Sequence, residues 1–344
     1  MGREEPLNIQ AFLFRGLHPQ VWVGTASDRY AGWLGQIYSL ERYASRLSRR
    51  TKLLGNHSLT EELVPIESVR EYFQHFRVLE LDFTFYRPLL DEQKSPTQNY
   101  RTLRKYAQYL EEGDSLILKV PQAVCAQRIM RAGTFLENPT YLDPDVFTLQ
   151  FYEPAVDLLG PRLRAFVFEQ EYQRKQDRSP AERFAEQLDR FFRSIPSDHR
   201  YHLELRTEAY LAPCVFEVMG TYGIGQVLSH WTWLPPLSVQ FDRSGRVLRN
   251  ADKQCIVRLL TPRGVRYEDA YLKAHPFDKI LDDMLDRRMI EETADLIQKV
   301  IDLQGSVNVI VNNRAGGNAP AIAQQIARRF LERTRGQGAA GGCS

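Results

Sequence analysis

Cysteine is scarce in this sequence, and none of it is paired. Cys125, Cys214, Cys255 and Cys343 are scattered through 344 residues. They lack the close spacing of a zinc site and the density of a disulfide-stapled secreted domain. They read as reduced thiols of a cytoplasmic chain. Long apolar runs are also missing. No stretch approaches the roughly 18 apolar residues of a membrane span, and the start MGREEPLNIQ has no apolar core of an export signal. Nor does it carry the Ser or Thr of a myristoylation pattern.

Net charge is small, with 45 Lys and Arg against 43 Asp and Glu. A nucleic-acid partner recognised through bulk charge is therefore not expected. Only a local basic stretch, Arg46, Arg49, Arg50 and Lys52, leaves room for one. No Gly-x-Gly-x-x-Gly follows the first β-rich run, which weighs against a dinucleotide fold. No Ser/His/Asp set has a convincing spacing, and no motif names a cofactor.

What is present is alternation. Strands are predicted at 21–25, 78–85, 116–120, 165–169, 201–206, 224–228 and 254–259, and in the stretch that starts at Val307. Helical segments stand between them. One carries Val69, Tyr72, Phe73 and Phe76 on one face, and another is a long amphipathic run over 277–302. A capping box is read at Ser179-Pro180-x-Glu182. Eight strand–helix units in a chain of this length predict an α/β fold, a single-domain (β/α)8 TIM barrel with inserted loops. The barrel is assigned to residues 1–335, with an insertion near 49–63 that shows no clean period. Residues 336–344 read as a flexible tail.

In such a barrel the chemistry lies at the C-terminal ends of the strands. Several strands here end in polar residues of one parity: Glu80 and Asp82, Lys119, His202 with Glu204 and Arg206, and Arg258. Facing inward, they would line a mixed-charge cup. Glu80, Asp82 and Glu204 are the candidate acid–base residues, and Lys119, Arg206 and Arg258 the candidate anion holders. Two other readings compete. An internal salt-bridge network such as Glu204 with Arg258 would only fix strand register and add little net stability. A metal on Glu80, Asp82 and Glu204 would be opposed by the three nearby cations, so no metal is assigned.

The final stretch, VNVIVNNRAGGNAP, reads as a strand, an Asn pair, Gly316-Gly317 and a helix capped by Asn318. Such a turn either cradles an anion with backbone N–H groups or is a plain capped turn. Trp33, Tyr86, Trp231 and Trp233 lie in loops after strands and either stack on a ligand or cover the mouth.

At these residues the chain resembles the YecE-like family of TIM barrels, whose function is unknown. GWLGQIY, VLELDFTFYR, LILKVP, YHLELR, CIVRL and NNRAGGNAP fall in that family's order. The resemblance implies that Trp33, Glu80, Thr84, Tyr86, Arg87, Lys119, Glu204, Arg206, Arg258, Asn312 and Asn313 gather at one mouth. The chain departs from the family at Asp82, Gln122, Thr207 and Leu260, the last two standing where His is usual. The stretch Phe168-Glu169-Gln170-Glu171-Tyr172 is also altered.

The expected function is an enzyme acting on a small anionic or phosphorylated substrate. The alternative is a non-catalytic ligand-binding protein using the same pocket, favoured by the missing His.

Overall fold

The computed structural model describes residues 7–131 and 134–340. Eight parallel strands close into a barrel. In chain order they are β1 (Val21–Ala26), β2 (Val78–Leu81), β3 (Ser115–Lys119), β4 (Leu163–Glu169), β5 (Tyr201–Glu204), β6 (Gly225–His230), β7 (Gln254–Leu259) and β8 (Ser306–Val311). Each strand pairs with its sequence neighbour, and β1 closes the ring on β8, with Val23 opposite Val309. A helix follows each strand before the next begins, and Ala319–Ala340 follows the last.

Strand alternation sorts the side chains into two apolar layers. Leu79, Leu118, Phe166, Leu203, Leu228 and Val257 point outward into the large core beneath the helices. Val78, Ile117, Ala165, Val167, Val227, Ile256 and Ile310 point inward and form a separate small core on the barrel axis. Below it, Trp22 is sandwiched between Arg164 at 3.9 Å and Arg77 at 4.3 Å. Gly24 allows β1 to lie against β2, since a Cβ there would fall 2.0 Å from the Val78 carbonyl oxygen. The axis is thus plugged from the bottom to the middle, with Arg164 and Arg77 at its foot and a second charged layer at its C-terminal end.

Locally the chain departs from its sequence pattern in several places. The second strand ends at Leu81, and Asp82–Phe85 is a 3-10 turn. There Thr84 Oγ1 donates to the Leu81 and Lys119 carbonyls, so the side chain takes over from the ladder. The fifth strand stops at Glu204, which leaves Arg206 beyond it. The helix expected over 277–302 begins only at Arg287, capped by the Asp286 carboxylate. Phe277 is left-handed (φ 70°), and Leu281 N–H donates to the Gly316 carbonyl instead of to a helix. Ser179 does not cap the helix Ala181–Ser194. The helices Leu237–Arg243 and Tyr267–Ala274 were not anticipated.

The insertion near 49–63 is an antiparallel hairpin, Ser48–Leu54 with His57–Leu63. Its Leu54 packs with Ala270, Tyr271, Ala274, Phe277 and Met284 in a satellite core above the mouth. The final helix runs to Ala340, into the stretch expected as tail, and 341–344, with Cys343, lie outside the described residues. No helix among the described residues is long and apolar enough to cross a membrane.

Candidate functional site at the barrel mouth

The inward parity of the strands brings most of the expected charged residues together. Arg258, 2 % exposed, sits at the centre. It donates to Glu80 Oε1 at 2.7 Å, to Glu169 Oε2 at 2.9 Å and to Glu204 Oε2. Lys119 Nζ lies 2.6 Å from Glu169 and 3.6 Å from Asp82. Arg206 reaches Glu169 at 3.0 Å and Glu204 at 3.3 Å. Ser229 Oγ donates to Glu204 Oε1. Glu169 and Glu204 are register partners on adjacent strands, and the three cations neutralise that like-charge pair.

Glu169 was missed as a site residue. Its signal was available, since Ala165, Val167 and Glu169 share the inward parity of β4.

Acidities divide along this network. Burial raises Glu169, but Arg206, Lys119 and Arg258 outweigh it and hold the carboxyl far below its usual range. Burial also raises Asp82, and Lys119, Arg258 and Arg314 reverse the effect, so it stays ionised. For Glu80 burial prevails over Arg258, aided by the Asp82 charge, and moves the group up to about 7. Its Oε2 is buried without a hydrogen-bond partner. Burial lowers Arg258, but Glu204, Glu80, Glu169 and Asp82 more than reverse this. The cup therefore balances its own charge, and Arg258 and Arg206 are occupied by protein carboxylates. That is the internal network weighed as an alternative in the sequence. Among the described residues no cluster of His, Cys, Asp and Glu could hold a metal ion.

The Gly-Gly turn is also occupied. The Gly316 carbonyl accepts from Leu281 N–H, and a Cβ on Gly317 (φ 104°) would fall 2.4 Å from the Lys279 carbonyl oxygen. Asn318 donates to the Phe277 carbonyl and accepts from Ala321 N–H. Asn313 Oδ1 accepts from Trp33 Nε1 and from Ala319 N–H, and Asn312 Oδ1 accepts from Arg314 N–H. Trp33, Asn312, Asn313, Gly316, Gly317 and Asn318 thus build the wall behind the mouth, all of them buried.

The open space lies to one side, between the mouth and the inserted hairpin. It is a cleft of about 300 Å³. Asp82 and Phe83 from the turn after β2 line it, with Ser27, Asp28 and Tyr30 after β1. Tyr86, Tyr106, Tyr267, Arg29, Arg314, and Arg50 and Lys52 of the hairpin are also among its walls. Exposed Arg87 is not among the lining residues. Asp82 has 28 % of its side chain exposed, against 8 % or less for Glu80, Glu169 and Glu204. Arg314 stacks on Tyr267 at 4.1 Å, makes no side-chain ion pair or hydrogen bond among the described residues, and has a buried, unpartnered Nε. Lys52 lies 3.9 Å over Tyr271 and 3.8 Å from Glu61. Asp28 and Arg314 were not anticipated as site residues. Only the folded loops bring them to Asp82.

Of the loop aromatics, Trp33 is wholly buried and Tyr86 is 67 % exposed. Trp231 and Trp233 form a cluster with Tyr172 beside Arg206, with Tyr172 and Trp233 stacked at 5.1 Å. The basic stretch of the hairpin is largely neutralised in place. Arg46 pairs with Glu67, Arg49 with Glu62 and Arg50 with Glu61.

No curated protein matches the chain. A solved DUF72 family protein from Thermotoga maritima is 16 % identical over 91 % of this chain and 99 % of its own, with a TM-score of 0.52. Another, from Enterococcus faecalis, is 16 % identical over 90 % of this chain and 95 % of its own, with a TM-score of 0.51. At that identity the likeness is one of fold. The sequence pattern described as "Protein of unknown function DUF72" matches residues 22–340, nearly all of the barrel, and the chain belongs to that family.

Proposed function

We propose that this barrel is an enzyme performing general acid–base chemistry on a small anionic molecule bound in the cleft between mouth and hairpin. Asp82 is the base. It is the mouth carboxylate that reaches the cleft, and its cationic neighbours keep it ionised. Glu80 and Glu204 lie behind it, fully buried, and serve to orient Arg258. The anionic part of the ligand meets Arg314, with Lys52 on the facing wall, instead of Arg258 and the Gly-Gly turn. A planar guanidinium already stacked on a tyrosine and short of partners suits a carboxylate or phosphoryl group.

The observation that carries this reading is the pair Asp82 and Arg314 on one open cleft: an ionised base near a cation that makes no direct ion pair among the described residues. Thermal-shift screening with phosphate, sulfate and sugar phosphates tests it. Stabilisation that disappears in Arg314→Ala supports the anion site. Turnover of a stabilising phosphate ester that disappears in Asp82→Asn supports the base. Stabilisation by no small anion overturns the reading. A ligand that binds and is never altered leaves a binding protein in its place.

A further inference from the structure

The cleft holds a second carboxylate of opposite character. Asp28 follows β1 and is 2 % exposed. Its Oδ1 accepts from Tyr106 Oη at 2.8 Å, whereas its Oδ2 is buried and has no hydrogen-bond partner. Both Asp28 and Tyr106 line the cleft. The backbone is turned to put Asp28 there. Ser27 is left-handed (φ 66°), an unfavourable state for a residue with a Cβ. Thr25 Oγ1 holds the Ser27 carbonyl at 2.7 Å, and the Asp28 carbonyl accepts from Tyr38 Oη at 2.8 Å. Ser27 Oγ in turn donates to Asp82 Oδ2 at 3.4 Å, so one strained turn links the two acids.

An ionised carboxylate with a lone buried oxygen and only one side-chain donor is costly, and a protonated one costs much less. We infer that Asp28 is the proton-donating group of this cleft, working opposite the ionised Asp82, with Tyr106 fixing its orientation. This rests on the reading that the cleft is the ligand site. The unpartnered Oδ2 carries the proton; it is closed off in the free protein, so rotation of the Asp28 side chain towards the cleft it lines delivers the proton to the ligand atom that gains electron density. Asp82 accepts one proton from the ligand or its attacking water. Solvent then returns a proton to Asp28 and removes one from Asp82, and the count closes.

The groups facing Asp28 agree with this. Tyr38 and Tyr72 flank it as neutral phenols, Tyr106 donates to it, and Arg29 is the cation that acts on it. Burial moves the acid up to about 6, against the smaller pulls of Tyr106 and Arg29. Two carboxylates driven apart in acidity by their surroundings are the usual means of assigning donor and acceptor roles.

The test uses the full-length protein labelled at the aspartate carboxyl carbon. Asp28 is assigned by its loss in Asp28→Asn and titrated between pH 3 and 9. A midpoint near 6 for Asp28, with Asp82 ionised throughout the neutral range, is the expected result. A midpoint at or below the ordinary aspartate value overturns the inference. Tyr106→Phe removes a bond that favours the ionised form, so the midpoint moves upward. An unmoved midpoint shows that Tyr106 does not control the proton and overturns its part.

Sulfate, whose charge is constant across this range, supplies the second readout. Its affinity for the wild type rises as pH falls through 6, because protonation removes one negative charge from the walls of the same cleft. Asp28→Asn loses that step while any step from Glu80 remains. With Glu80→Gln in both proteins to remove that group's step, a step near 6 that persists in Asp28→Asn overturns the inference. If sulfate does not bind at any pH, the anion reading of the cleft falls, and the carboxyl titration alone decides Asp28.

Discussion

Arg258 Nη2 donates to Glu80 Oε1 at 2.7 Å, joining β7 to β2 across the two strands that lie between them in the ring. With the bonds from Nη1 to Glu169 and Glu204, one guanidinium links three carboxylates from three strands. The bonds cross the top of the barrel, where the apolar plug ends. The mouth is closed by electrostatics at the height where lower layers are closed by packing.

Arg258→Ala should destabilise the fold by about 3–5 kcal/mol, the usual cost of removing one partner from a buried ion pair. Three carboxylates with little or no exposure would be left around an empty volume. Urea denaturation at pH 7 measures this. The combined variant Arg258→Met, Glu80→Gln, Glu204→Gln should recover most of the loss, because it removes the charges together. If Arg258→Ala is as stable as the wild type, the network is not what holds the mouth.

The pH dependence of stability has opposing components. Glu80 has a folded value near 7, above its ordinary 4.5. Its stabilisation is therefore complete below 4.5 and is lost as pH rises towards 7. Glu169 is depressed, so its stabilisation is present above the ordinary value and is lost as pH falls. Burial lowers His202 to about 4, and its contribution is lost as pH falls from about 6.5 towards 4. Subtraction isolates Glu80. Glu80→Gln should gain on the wild type by up to about 3 kcal/mol between pH 4.5 and 7, and the difference should be flat above that. Urea denaturation at unit pH steps reads the difference, and a constant offset across the window would contradict the raised value.

The barrel and the polar ring of its mouth were legible because both follow from period-two alternation. Glu80, Lys119, Glu204 and Arg258 lie where parity places them. The partition of their charges was not legible. Whether Arg258 meets a ligand or Glu80 depends on distances across strands far apart in sequence. The hairpin eluded a periodicity reading because most of its first strand is exposed, SRRTKLL, so it shows no apolar face. The length of the second strand was misjudged because Thr84 satisfies carbonyls that a strand would have paired. Asp28 and Arg314 each follow a strand end by only two or three residues, at turns whose direction the sequence did not reveal.

Gly317→Ala separates the two readings of the Gly-Gly turn. The residue is left-handed, and its added Cβ would meet the Lys279 carbonyl oxygen at 2.4 Å. A loss of at least about 1–3 kcal/mol is expected from the backbone conformation alone. Because the turn is covered by 279–281, sulfate affinity of the folded protein should be unchanged. Isothermal titration of the variant at low temperature reads the affinity apart from the stability. A selective loss of sulfate binding would return the anion site to the turn.

Two single substitutions in the cleft should change anion binding with opposite sign. Arg314 brings a positive charge without a direct ion pair among the described residues, and Asp82 a partly exposed negative one, to the same space. Arg314→Ala should weaken sulfate binding by roughly 10- to 100-fold, the loss of one charge-assisted hydrogen bond of about 1.5–3 kcal/mol. Asp82→Asn should strengthen it, because a like charge is removed and Lys119, now less engaged, faces the anion from 3.6 Å behind that side chain. The same Asp82→Asn should abolish turnover of any phosphate ester that proves to be a substrate. Tighter binding with no chemistry is the signature of a base that repels the ground state while serving the transition state. If both substitutions weaken sulfate, Asp82 is holding Arg314 in place and not acting on the ligand, and the base would then be sought elsewhere in the cleft.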